Sequence, residues 1–292
     1  MQTGTPSRTA YRVALRRAAH QLVDRPLVFP DPLALRILGY GGTTAVTDLR
    51  APRRPHSVAL RAYLVARSRF AEDVLQASVG AEEVHAKQYV LLGAGLDTFA
   101  YRNPYPGLRV FEVDHPDTQQ WKLSLLRDAA IEIPAGMTHV PVDFQNQTLG
   151  PALVQAGLDP CLPTVFAWLG VTPYLSRESI AATLRHLSTC QPGSVLVLDY
   201  SLPRSALPHF EQLAFDSLAA RVAAAGEPFQ GVFLPEQIRD LLAECGWLVS
   251  EDLDRDAINA RYFPDRSDDL RCLGHGGHLL KAVLQGSLEA TP

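Results

Sequence analysis

"YVLLGAGLDTFAYR", residues 89–102, decides how this chain is read. An apolar run, Tyr89 to Leu92, breaks at Gly93-Ala94-Gly95, and an acid, Asp97, follows two residues later. A short apolar run that stops at glycine reads as a buried strand ending in a tight turn. Paired glycines there let a ligand come close to the backbone. NAD, nucleotides and S-adenosylmethionine all use this kind of turn. A dinucleotide fingerprint would carry a third glycine at position 98, where the helix packs under a pyrophosphate. Thr98 stands there instead. The turn therefore favours a ligand without a pyrophosphate. S-adenosylmethionine is such a ligand: its ammonium and sulfonium want carbonyls and carboxylates, and its ribose diol wants an acid. Asp114, which ends the next apolar run, stands where a ribose acid should sit in either fold.

Outward from the turn, short apolar runs alternate with amphipathic helices. The runs are 88–93, 109–114, 139–143, 164–170 and 194–200. Strands alternating with helices imply a parallel sheet covered on both faces. Ser176 caps an expected helix whose Ile180, Leu184 and Leu187 share one face. A further helix runs over 235–246, from Pro235 to a stop at Gly246. Two last strands, 247–253 and 278–284, are joined only by an expected loop, so that pair is expected to be antiparallel. Toward the N-terminus, helices are expected over 8–24, from Asp31 onward with Pro32 in the first turn, and over 57–79. Residues 39–56, rich in Gly, Pro and Arg, read as a loop. The expectation is one α/β domain over 1–292, with a Rossmann-like, mostly parallel sheet and an antiparallel last strand. Residues 1–80 form a helical cap, 88–202 and 235–284 the core, and 203–234 a helical lid over the carboxyl ends of the strands.

The 292 residues are 47% apolar and 20% charged, with a formal net charge of −4. A nucleic-acid partner needs a basic surface, so that balance weighs against one. No apolar run approaches a membrane span. The first residues are interrupted by arginines and hold no apolar signal core, so a cytoplasmic protein is expected. Cys161, Cys190, Cys245 and Cys272 form no CxxC pair and read as buried reduced thiols.

"LLGAGLDTFAYR", "FEVDHPDTQQWK", "FAWLGVTPYL" and "GEPFQGVFLPEQIRDLLAECGW", in this order and spacing, resemble the leucine carboxyl methyltransferase family. The resemblance starts in the "TAYRVALRRA" helix and runs to about residue 284. That family includes an enzyme that methylates the C-terminal leucine of a protein phosphatase. It also includes bacterial polyketide carboxyl O-methyltransferases of secondary metabolism. The resemblance implies a class I S-adenosylmethionine methyltransferase fold and roles for matching residues. Gly93, with Gly95, meets the methionine part of the cofactor. Asp114 holds the ribose hydroxyls. Asp143 and Phe144 meet the adenine. Arg67 pairs with the cofactor's carboxylate. Asp97 either joins the cofactor site or caps the helix after the turn. Leu169 is a departure, since the protein-methylating relatives carry Glu there; this points to the small-molecule branch. The alternatives are a methyltransferase-fold protein without methyl transfer, acting as a binding module or cyclase, and an NAD-dependent dehydrogenase.

The implied acceptor is a small acidic or aromatic molecule. A carboxylate is ionised at neutral pH and needs no base, whereas a phenol usually does. His20, His115 and His209 are the histidines that could act as one, and none sits in a motif that demands it. Tyr174 and Arg221 are further candidates at the acceptor, Arg221 as a partner for an anion.

Overall fold

All of β1 (Gln88–Leu92) is buried, so the decisive apolar run lies inside the sheet. The computed structural model describes residues 7–40, 55–82, 85–143, 147–224 and 228–286. β1 pairs in parallel with β2 (Arg109–Asp114) on one side and with β4 (Thr164–Trp168) on the other. Beyond them lie β3 (Met137–Pro141) and β5 (Val195–Ser201). β7 (Gly277–Leu284) inserts antiparallel between β5 and the edge strand β6 (Trp247–Leu253). The order is β3-β2-β1-β4-β5-β7-β6. It reverses direction between β1 and β4, and the crevice at such a switch point is where open α/β sheets bind ligands.

Alternate residues of β1 feed two cores. Val90 and Leu92 pack with Leu149 and Leu153 of α4 (Leu149–Gln155), with α5 (Arg177–Leu187) and with α7 (Pro235–Glu244). Tyr89 and Leu91 face α2 (Pro55–Val79), which buries Ala62, Ala66, Phe70 and Leu75. α5 and α7 follow the expected pattern. Ser176 accepts from the Ser179 amide. Pro235 opens α7, and Gly246, at φ 84°, ends its connection. α3 (Pro116–Asp128) lies between β2 and β3.

Four expectations need correction. No α-helix starts at Asp31; only a short 3-10 turn, Arg36–Leu38, forms. The Asp31 carboxylate still accepts from the Leu33 amide at 3.1 Å, capping only a turn, and is shared with Thr98 and Arg17. The loop between β6 and β7 contains α8 (Arg255–Tyr262), whose cap Asp254 accepts from the Ala257 amide at 2.9 Å. α2 starts at Pro55, inside the stretch read as loop; residues 41–54 of that stretch lie outside the described residues. Cys161 is exposed, while Cys190, Cys245 and Cys272 are buried. The N-terminal helix does form, as α1 (Arg8–Val23), with Ser7 as its cap. The 203–234 insertion holds α6 (His209–Ala224), in which only Val222 is buried.

Beneath β2 lies a fully buried ion pair. Glu112 and Lys122 are each 1% exposed and meet at 2.6 Å. Tyr101 donates to the same carboxylate oxygen at 3.1 Å. Burial pushes the Glu112 carboxyl up, and the Lys122 charge opposes this. Removing one partner of such a pair costs roughly 3–5 kcal/mol. Lys122→Met should therefore be strongly destabilised. Without its cation, Glu112 binds its proton more tightly in the folded than in the unfolded chain. The folded state then gains protons relative to the unfolded one as pH falls, so the deficit shrinks on acidification and grows toward neutrality. Urea melts of wild type and variant at about pH 5 and about pH 7 check this; a pH-independent difference would contradict it.

Candidate functional site

A cavity of about 250 Å³ opens at the carboxyl ends of β1, β2, β3 and β4. The structure brings most of the sequence-selected residues to its wall: Gly93, Gly95, Asp97 and Asp114, then Asp143, Arg67, Leu169 and Tyr174. Phe144 lies outside the described residues. His209 and Arg221 do not reach the wall. Both are exposed on α6, because the insertion meets the cavity through Pro228 and Gln230 rather than through that helix.

The turn after β1 is built by the chain's own crowding. Gly93 and Gly95 have φ of 71° and 49°, in the left-handed region. A Cβ on Gly93 would stand 2.3 Å from Cγ2 of Val171, and one on Gly95 would stand 3.2 Å from Cβ of Ala10. The first glycine thus lets "GAG" pack on "GVTPYL", and the second lets α1 sit on the turn. The Gly93 and Ala94 amides donate to the Val113 carbonyl at 2.8 and 3.0 Å. The Gly95 amide donates to one oxygen of Asp114 at 2.6 Å, and the His115 amide to the other at 2.7 Å. Each carboxylate oxygen keeps acceptor capacity beyond its amide. Burial pushes the Asp114 carboxyl up, and the two amides only partly counter it.

Asp97 serves the frame of the site. Its Oδ1 accepts from the Phe99 amide at 2.7 Å, which heads the 3-10 turn Phe99–Tyr101. Its Oδ2 pairs with Arg17 at 2.8 Å. Burial would raise its carboxyl, but the charges of Arg17, Arg102 and Lys122 and the Phe99 amide outweigh that and hold it at about 2. Thr98, the residue in the third-glycine position, is buried and donates to Asp31 at 2.8 Å. A hydroxyl at this point ties the turn to the N-terminal segment, a contact no local pattern announces.

Opposite, Asp199 organises the end of β4. It accepts from Arg67 Nη1 at 2.8 Å and from the Gly170 amide at 2.5 Å. Tyr63 donates to it at 3.3 Å. Burial opposes the Arg67 charge, but Asp199 more than compensates and raises its pKa. Arg67 Nε is buried with no hydrogen-bond partner. Leu169 is half-buried and joins the apolar packing beside this pair. Tyr174 starts an aromatic run: its ring centroid lies 5.6 Å from Phe229, which lies 5.7 Å from Phe215 on α6.

Two of the three candidate bases are elsewhere. His20 is fully buried; its Nε2 accepts from the Val28 and Phe29 amides at 3.1 and 3.2 Å. Its Nδ1 must then carry the proton and donate to Asp24 at 2.8 Å. His209 is exposed on α6. His115 does line the cavity, and its Nδ1 accepts from the Asp117 amide at 3.3 Å.

A family model described as leucine carboxyl methyltransferase matches residues 10–188. The Bacillus subtilis protein YktD, named as an S-adenosyl-L-methionine-dependent methyltransferase, is 33% identical over 92% of this chain and 95% of its own. This chain belongs to the leucine carboxyl methyltransferase family. A Frankia alni protein given the same kind of name is 37% identical over 61% of this chain and 63% of its own. Among solved structures, a DUF574-family protein of Streptomyces avermitilis matches with a TM-score of 0.59 at 15% identity, over 93% of this chain and 96% of that one. A Thermobifida fusca protein named as a methyltransferase gives 0.59 at 16% identity, over 98% and 97%. These two carry the fold alone. Family membership sets aside the dehydrogenase alternative.

In this leucine carboxyl methyltransferase family member the glycine turn makes a direct prediction. Gly93→Ala meets both a positive φ and the Val171 side chain, so it should cost more than the ~1–2 kcal/mol of left-handed backbone strain alone. Gly93→Ala/Val171→Ala removes the clash but keeps the strain, so it should be less destabilised than the two single costs combined. Urea midpoints of the two single variants and the double variant test the coupling. Strict additivity would show that Gly93 is not held against Val171.

Proposed function

We propose that this protein transfers the methyl group of S-adenosylmethionine to an oxygen of a small acidic or aromatic acceptor, in the first place a carboxylate. The observation that carries the reading is Asp114. A half-buried carboxylate with capacity to spare stands at the end of β2, at the switch point, beside a glycine turn whose third-glycine position is filled by the buried Thr98. Arg67 supports it from across the sheet reversal, with an unpartnered buried Nε. These residues fit the cofactor: Asp114 for the ribose hydroxyls, Arg67 for the carboxylate, Gly93 and Gly95 for the methionine backbone, and Asp143 for the adenine amine. When bound, S-adenosylmethionine supplies a methyl group already activated on a sulfonium.

The chain's own task is then alignment and exclusion of water. Holding acceptor and donor in line can supply ~7–11 kcal/mol of a barrier. Asp199 fixes Arg67 and the Gly170 amide, and so sets the floor of the cavity. The ionisable side chains of the wall include Arg17 and Asp97, which are already engaged with protein partners. An acceptor that is ionised in water asks no base of them, which favours a carboxylate. Tyr174 on the wall, backed by Phe229 and Phe215, supports an aromatic face toward the body of the acceptor. Leu169 supports a small molecule over a protein tail, and with it a cytoplasmic enzyme of secondary metabolism.

Asp114→Ala removes the proposed partner of the ribose hydroxyls. A lost charge-assisted contact of ~1.5–3 kcal/mol should weaken S-adenosylhomocysteine binding about tenfold to a hundredfold. Unchanged affinity in a calorimetric titration would refute the assignment. Phe229→Ala, on the acceptor side, should raise the acceptor's KM or lower kcat while leaving cofactor affinity nearly unchanged. A screen of aromatic acids, followed by release of S-adenosylhomocysteine, supplies the acceptor. Equal losses of cofactor binding and turnover would place Phe229 in the cofactor site instead. A protein that binds S-adenosylhomocysteine but turns over no acid would favour the reading without methyl transfer.

A further inference from the structure

Methyl transfer to a carboxylate leaves His115 without a task, although it is the only histidine among the described residues of the cavity wall. Three contacts converge on it. Its amide donates to Asp114 Oδ1 at 2.7 Å. Its carbonyl accepts from the Gln119 amide at 3.0 Å, in the first turn of α3. Its ring caps that helix, with Nδ1 accepting from the Asp117 amide at 3.3 Å. The cap selects one form of the ring. A nitrogen that accepts carries no proton, so the neutral ring holds its proton on Nε2.

A second proton undoes the cap. Nδ1–H would then face the Asp117 N–H, donor against donor. The Asp117 carboxylate can take the new hydrogen bond if the ring turns, since its Oδ2 lies 3.6 Å from Nδ1. The backbone cannot follow. A residue before proline is confined to β and polyproline conformations. His115 precedes Pro116 and has φ −57° and ψ 138°. The ring must therefore turn about its own side-chain bonds, and it forms part of the cavity wall. The charged groups around this end are Asp114 on β2, Asp97 after β1 with Arg17 of α1, and Asp143 just past β3. Lys122 of α3 is held by Glu112.

We propose that His115 is a positioning residue for the cofactor: its neutral ring caps α3 and completes the wall beside Asp114, and uptake of a proton turns the ring and loosens the bound cofactor. This deepens the assignment of Asp114 to the cofactor and rests on it. Histidine side chains change charge between about pH 5 and 8. Cofactor affinity should therefore respond to pH in that range.

Calorimetric titration of the full chain with S-adenosylhomocysteine at about pH 8 and about pH 5.5 tests this. The proteins are wild type, His115→Asn and His115→Ala. Asn keeps an acceptor for the helix end and does not titrate. Wild type should lose affinity about fivefold on acidification, in line with one lost cap. His115→Asn should match wild type at the higher pH and change by less than about twofold on acidification. His115→Ala should already be about fivefold weaker at the higher pH and change as little. The ligand's own ionisation is common to all three and cancels. The proposal is overturned if wild type binds equally at both pH values, or if His115→Ala binds like wild type at the higher one. It is also overturned if His115→Asn loses as much as wild type on acidification, which would place the titrating group at Asp114 or another acid. No binding by wild type at either pH would remove the Asp114 assignment itself, and this proposal with it.

Discussion

The Arg17 guanidinium is buried between two carboxylates, Asp31 at 2.7 Å and Asp97 at 2.8 Å. Asp31 belongs to the segment after α1, and Asp97 to the turn after β1. One cation therefore closes the N-terminal cap over the open end of the sheet. Thr98 completes the joint by donating to Asp31 and receiving Arg17 and Arg102. Buried charges repay their desolvation only where geometry and hydrogen bonds are nearly complete. Here three arginine and carboxylate groups share one set of contacts, and the arrangement holds α1 where its Ala10 and Val13 can wall the cavity. A second joint runs parallel to it: Arg61 clamps both oxygens of Asp24, which also receives His20. The cap is fastened by charge to the turn and to α2, so the cofactor end of the cavity has little freedom to rearrange.

The acceptor end is made differently. α6 buries only Val222, and it leaves Phe210 73% and Leu213 72% exposed. Its described anchors lie mostly near its start: Glu211 with His275 at 2.5 Å, and Arg204 with Asp216 at 2.7 Å. Elements with few buried contacts open at low cost. A rigid polar side beside a loosely packed aromatic side suits an enzyme whose donor is fixed and whose acceptor must enter and leave.

The sheet was legible because its signals are local. Buried runs bounded by glycine or proline gave the strands, and Ser176 and Pro235 marked α5 and α7 by capping chemistry. Asp114 was legible for the same reason, as an acid at a strand end. What escaped depends on partners distant in sequence. Asp31 does cap a turn through the Leu33 amide, but its ties to Thr98, 67 residues away, and to Arg17 were not announced by any local pattern. Asp199 gave no local hint that it would hold both Arg67 and the Gly170 amide. α8 did carry a signal, Asp254 as a cap, but its short run was hidden among turn residues. On α6 the helix was expected but its direction was not: Arg221 was taken as a candidate at the acceptor, whereas the insertion meets the cavity through Pro228 and Gln230.

In the proposed function the glycine turn and Asp114 bind S-adenosylmethionine rather than a dinucleotide. Parallel calorimetric titrations of the wild-type protein with S-adenosylhomocysteine and with NADH test it most directly. Saturable one-site binding of S-adenosylhomocysteine and none of NADH is expected. Saturable binding of NADH with no response to S-adenosylhomocysteine would contradict it.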